Sequence, residues 1–257
     1  RRYQLLTESI SDVIWVLDIE LRKLVYISPS IENLTGFDAS TLMKKGFYLM
    51  PSDSHKLFNK KVEQAYVEFL KNPDKALEFT IETQVNHKHH DKIWVEHSCK
   101  IAFDKLYNRN RLIAVTRNIE ERKKTDNYIE YINTHDQLTG LLNKTAFRLF
   151  ELDFDTNLQK DYSILFVDLD NLKTVNDAYS HNTGDALLKE VARRMRECVR
   201  ESDTVGRLGG DEFVLLLTDL AHAQECRIAL ERILAIVREP LEIEGQRAGV
   251  SGSIGVT

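Results

Sequence analysis

Arg207-Leu208-Gly209-Gly210-Asp211-Glu212-Phe213 is the stretch that decides how this 257-residue chain folds. Two tandem glycines fit the tight turn of a β-hairpin, because glycine adopts positive φ without steric cost. Phe213 to Leu217 then reads as the second strand. Two carboxylates, Asp211 and Glu212, follow the turn at once, and the bare glycines leave room for a ligand to approach the backbone. Upstream, Phe166-Val167-Asp168-Leu169-Asp170 closes a strand predicted from Tyr162, with Asp168 where that strand ends. Carboxylates at the ends of core strands can meet in a crevice and hold hard cations through oxygen. If this strand neighbours the hairpin, Asp168, Asp211 and Glu212 converge, and three negative charges together predict magnesium, with manganese as the alternative. Taken singly, each acid reads as a helix cap or a solvated turn residue.

Outward from the hairpin, helix patterns cover 143–157, 185–200 (opened by Gly184) and 221–238, with the strand at 162–167 between the first two and strand-like segments running to Thr257. Alternating strands and helices indicate a ferredoxin-like α/β sandwich. The first half follows another plan. Residues 12–27 alternate as two strands joined by a polar turn, and Ser28-Pro29-Ser30 breaks the pattern. Short helices are expected at Ile31–Leu34 and Ala39–Lys44, and a longer one over 56–71. Three strands follow, Leu77–Val85, Lys92–Phe103 and Arg111–Asn118. This is an α+β plan with an antiparallel sheet. Between the halves, Asn118 to Asn133 holds no Gly or Pro and is rich in charge, which suits an exposed helix. Ile119, Tyr128, Ile129 and Ile132 form a narrow stripe on it, too short to establish a coiled coil. The helix reads as a signalling linker or as a plain solvated connector.

Composition narrows the function classes. The net charge of -5 gives no general pull toward nucleic acid. Cys99, Cys198 and Cys226 form no CxxC pair, so neither a disulfide framework nor a zinc site is expected, and a reducing cytoplasm is the default. No apolar run reaches the length of a membrane span. The chain opens on Arg1-Arg2-Tyr3 without a Met or a signal peptide, which reads as a piece of a longer protein and leaves upstream membrane segments open. His87, His89 and His90 read as an exposed hairpin tip rather than a metal site, and Trp15 and Trp94 as core residues. No Cys stands where a flavin-adduct photosensor needs one, and no residue marks a haem ligand.

Two resemblances add to this reading. Residues 1–119 resemble a PAS sensor domain, carried by Tyr26-Ile27-Ser28-Pro29-Ser30, Leu34-Thr35-Gly36-Phe37 and the exit Asn118-Ile119-Glu120-Glu121-Arg122-Lys123. A helical linker would then occupy 120–134. Residues 135–257 resemble the GGDEF domain of diguanylate cyclases. Thr134-His135-Asp136-Gln137-Leu138-Thr139-Gly140-Leu141-Leu142-Asn143, FVDLDNLKTVND, HNTGD and RLGGDEF occur in that family's order and spacing. The fold implied is an α+β PAS domain joined by a helix to a nucleotidyl-cyclase-like sandwich. The chain stops at Thr257, short of the family's last helical segment and its phosphate-binding basic residues, so this domain is expected to be incomplete.

The second resemblance implies a reaction, the condensation of two GTP into cyclic di-GMP with release of two pyrophosphates. It implies Asp168, Asp211 and the Leu169 carbonyl as metal ligands. Glu212 would stand beside the reacting groups as base or ligand, and Lys173 would contact the triphosphate. Asn176 and Asp185 would hold the guanine edge, since an amide pairs with purine acceptors and a carboxylate accepts from N1 and N2, donors that adenine lacks. Helix capping is the plainer reading of Asp185, and the two roles are compatible. Arg200-Glu201-Ser202-Asp203, with Arg232, matches an inhibitory product site, where arginine grips phosphate or guanine bidentately. One domain carries one GTP, so a homodimer is implied. Leu172, Lys144 and Ser180 depart from the usual Phe, Arg and Gly and remove no ligand. A catalytically inactive receptor for GTP or cyclic di-GMP is the alternative, and a dimerisation scaffold is the third reading.

Overall fold

The computed structural model describes residues 12–45, 49–89, 91–157, 162–220, 222–243 and 246–257. His90 and the opening Arg1-Arg2-Tyr3 lie outside them. The chain divides into two compact units, Arg1–Asp126 and Asn127–Thr257.

In the first unit, β1 (Val13–Asp18) and β2 (Lys23–Ile27) precede two short helices, α1 (Ile31–Thr35) and α2 (Ala39–Lys45). Then come α3 (Ser52–Phe69), β3 (Leu77–Asn86), β4 (Lys92–Asp104) and β5 (Arg109–Asn118). The five strands form one antiparallel sheet in the order β2-β1-β5-β4-β3. Period-two patterning explains β4: Ile93, Val95, His97, Cys99 and Ile101 are buried at every second position. Phe58, Val62, Ala65 and Phe69 form the stripe with which α3 covers the core. The serines of Ser28-Pro29-Ser30 fix the start of β1: Ser28 Oγ accepts the Ile14 N–H at 2.9 Å, and Ser30 donates to the Asp12 carbonyl at 3.0 Å. Trp15 is buried as expected, whereas Trp94 is only half-buried, with Lys123 Nζ 5.0 Å from its ring centre. A space of about 40 Å³ remains inside this core, lined by apolar side chains, Trp15 among them, with Thr35, His97 and Thr116, far smaller than a drug-sized pocket.

Helix α4 (Glu120–Thr134) carries no buried residue. Ile119, which the sequence places on its stripe, is instead buried in the first unit just ahead of the helix.

The second unit contains β6 (Leu142–Asn143), α5 (Lys144–Asn157), β7 (Tyr162–Asp170), α6 (Leu172–Ala178) and α7 (His181–Cys198). After these come β8 (Thr204–Gly209), β9 (Glu212–Thr218), α8 (Ala223–Arg238), a β10–β11 hairpin (Leu241–Ile243, Gln246–Ala248) and β12 (Ser251–Val256). The sheet runs β12-β7-β9-β8-β6, antiparallel except where β6 pairs with β8. β9 is central and buried on both faces after Glu212, which explains its unbroken FVLLL run. Leu165, Val167 and Leu169 of β7 pack with Leu187, Val191 and Met195 of α7 and Ile233 and Val237 of α8. Ile164, Val214 and Leu216 meet Phe147 of α5 in a separate cluster. Two readings need correction. Helix α7 begins at His181, not Asp185, because Ser180 is its N-cap and accepts the Thr183 N–H at 3.2 Å. Helix α6 is additional: its seven residues are too few for periodicity to show.

Candidate functional site

The candidate site lies where β7 ends beside the β8–β9 turn. In the register between β7 and β9, Asp168 stands directly opposite Glu212. Asp211 lies in the turn itself, and its carbonyl accepts the Leu169 N–H at 3.1 Å. Gly209 (φ +140°) and Gly210 (φ +56°) both occupy the region that glycine favours, and a Cβ on either would meet nothing within 4 Å. The turn thus needs glycine for its backbone and leaves open space beside it.

The three acids do not converge as the sequence predicted. Among the described residues no group of three or more His, Cys, Asp or Glu is gathered to hold a metal ion. In the register Glu212, not Asp211, is the cross-strand partner of Asp168. The pair that does form is nonetheless suited to a cation. Like charges directly opposite on a sheet repel, both side chains are exposed, and neither forms an ion pair with a Lys or Arg among the described residues. Hard oxygen donors in this setting fit a hard divalent ion.

Lys173 and Asn176 lie one turn apart on α6, and Asp185 sits in the second turn of α7, the neighbouring helix. Lys173 and Asp185 are exposed. Because α7 starts four residues ahead of Asp185, that carboxylate does not cap the helix.

Arg200, Asp203 and Arg232 line a single cavity of about 260 Å³. Each already has internal partners. Asp203 accepts the N–H of Arg200 at 2.9 Å and of Thr218 at 3.0 Å, so it shapes its own turn. Arg200 lies 3.5 Å from Glu225, a residue the sequence reading did not include. Burial pushes the Cys198 thiol up, and Arg232 beside it opposes that rise.

Sequence reasoning also missed a lock beneath the glycine turn. Arg207, buried at 8% exposure, donates from Nε and Nη2 to the Gly210 carbonyl at 3.1 and 2.7 Å. Its Nη1 reaches both oxygens of Asp136 at 2.9 and 3.1 Å. Asp136 in turn accepts from the Thr139 hydroxyl at 2.6 Å. Burial raises the Asp136 pKa, but the hydrogen bonds from Thr139 and Arg207 outweigh it and hold the carboxyl below its ordinary 3.8. Both residues stand in the quoted motifs, yet their pairing across the chain left no local signal.

Comparison with known proteins matches residues 1–119 to the model of the PAS fold, and 133–257 to that of the diguanylate cyclase GGDEF domain. The cyclic di-GMP phosphodiesterase NbdA of Pseudomonas aeruginosa is 33% identical over 168 residues, 64% of this chain and 21% of that protein. Diguanylate cyclase DgcM of Escherichia coli is 34% identical over 139 residues, 50% of this chain and 33% of that protein. A solved sensory box/GGDEF family protein from Caulobacter crescentus is 32% identical, with 48% of this chain and 82% of that one covered at a TM-score of 0.45. The chain thus spans between about a fifth and a third of the two full-length relatives.

Proposed function

This chain belongs to the GGDEF family of diguanylate cyclases and carries a PAS-fold domain ahead of its GGDEF domain, and we propose that it condenses two GTP into cyclic di-GMP. The observation that carries the proposal is the Asp168–Glu212 pair beside an open glycine turn. In each half-reaction the 3'-oxygen of one GTP attacks the α-phosphorus of the other. The new O–P bond forms as the bond to the β-phosphate oxygen breaks, pyrophosphate leaves, and the hydroxyl proton passes to Glu212 or to water. Asp168, Asp211 and the Leu169 carbonyl would hold magnesium or manganese, which when bound lowers the hydroxyl's pKa and offsets charge in the transition state. Lys173 binds the triphosphate as a point charge, and Asn176 and Asp185 select guanine.

Since one domain carries one GTP, catalysis takes a homodimer. The PAS domain and the helix Glu120–Thr134 set how the half-sites meet, and Arg200, Asp203 and Arg232 bind the product as an inhibitor. The setting is cytoplasmic. Among the described residues no helix is long and apolar enough to cross a membrane.

Incubation with GTP and magnesium tests this reading: cyclic di-GMP forms, and Asp211→Ala abolishes it. A second reading, a receptor without turnover, draws on the match to NbdA, a protein named for phosphodiesterase activity. No product, together with cyclic di-GMP binding that Arg200→Ala removes, would decide for the receptor.

A further inference from the structure

Gly184 is buried inside α7. Alanine favours a helix interior more than glycine does, and the φ of Gly184 is not among the positive ones, so neither helix nor backbone geometry calls for glycine. Its surroundings do. A Cβ at Gly184 would lie 1.9 Å from Oδ1 of Asn176, 2.9 Å from its Cγ and 3.3 Å from its Nδ2. The Asn176 amide fills the volume that any other residue's side chain would need. That Oδ1 is moreover buried without a hydrogen-bond partner, an unfavourable state for a polar atom that folding stability alone does not explain.

We infer that Gly184 is a positioning residue for guanine recognition: the missing side chain lets Asn176 of α6 lie against α7, next to Asp185. With Oδ1 buried against the helix, Nδ2 is the edge left to meet a purine acceptor, while the adjacent exposed Asp185 supplies the carboxylate. The inference rests on the reading of Asn176 and Asp185 as the guanine partners, and deepens it.

The test is a double-mutant cycle on the affinity for a GTP analogue with a methylene α,β-bridge, in magnesium, with Tm read in parallel. Asn176→Ala and Gly184→Ala should each weaken binding about tenfold, as expected for one lost hydrogen bond. The double variant should bind no worse than either single one, because both act through one amide. Independent losses that multiply, or a Gly184→Ala affinity equal to wild type, would overturn the inference and leave the guanine reading standing. An Asn176→Ala affinity equal to wild type would sink the guanine reading itself and the inference with it. If Gly184→Ala lowers Tm, the double variant should recover it, since the colliding amide is gone. A loss that persists in the double variant would assign Gly184 to helix packing and refute the positioning role.

Discussion

Arg207 holds the glycine turn in shape by gripping the Gly210 carbonyl while Asp136 neutralises it. Arg207→Met keeps the length of the side chain but strands a part-buried carboxylate. Removing one partner of a buried ion pair costs about 3–5 kcal/mol, and some exposure of Asp136 brings the expected loss to roughly 2–4 kcal/mol. Urea unfolding of the variant measures it; a loss below about 0.5 kcal/mol would make the pair a surface contact in effect. The pH dependence follows from Asp136. Its folded pKa is below the unfolded one, so the stability it adds is complete above the ordinary value of 3.8 and is lost as pH falls through the lower folded value. Asp136→Asn should remove that acid-range component. At this scale the positions of Asp168, Asp211 and Glu212 were legible, because a strand end and a glycine turn mark them, whereas their failure to gather into one three-acid group was not. Nor was the Arg207–Asp136 pair: its members stand 71 residues apart, and each alone resembles a solvated charge.

Strand β4 shows what an element makes of its residues. Alternation told that every second position faces inward, yet His97 sits on that face at 2% exposure. Its Nδ1 pairs with Thr116 Oγ1 at 2.7 Å and its Nε2 with Thr83 Oγ1 at 3.0 Å, while Trp15 Nε1 donates to the same Thr116 oxygen at 2.8 Å. A polar letter in a strand hides such a network, since its partners come from three other strands. Burial lowers the His97 pKa from 6.5 to about 4. The unfolded chain therefore takes up a proton that the fold refuses. Stability is unaffected above pH 6.5 and falls as pH drops from there toward 4, by up to about 3 kcal/mol in all. His97→Gln keeps hydrogen-bonding capacity and removes the titration. Both tryptophans of the chain, Trp15 and Trp94, lie in this unit, so their fluorescence in urea follows it alone. Between neutral pH and about pH 5 the wild-type midpoint should fall and that of the variant should hold nearly level. Equal slopes would mean that other groups control the acid limb. Helix limits were less legible than strands: Ser180 is a better start signal than Gly184, and α6 is too short for its pattern to register.

Over the whole molecule, composition and motif order made the two-part plan legible, since each part builds its own apolar packing on a different pattern. The proposed dependence on a second copy comes from the stoichiometry of the reaction and not from any local pattern in the sequence. The proposed reaction forms two phosphodiester bonds between two GTP molecules, and the unit contains one Asp168–Glu212 rim and one Asn176–Asp185 pair. If both rims are required, the active species is the dimer and its amount follows mass action. Below the dimer's Kd, tenfold dilution should cut cyclic di-GMP formed per chain by about tenfold; specific activity independent of concentration would contradict it, unless the dimer is tighter than the lowest concentration assayed. Mixing removes that exception. An excess of Asp211→Ala chains refolded with wild type should capture it in mixed dimers with one defective site, and cyclic di-GMP output should fall well below that of wild type alone. Unchanged output after such mixing would mean that one chain completes both bonds, and the half-site account would have to be abandoned.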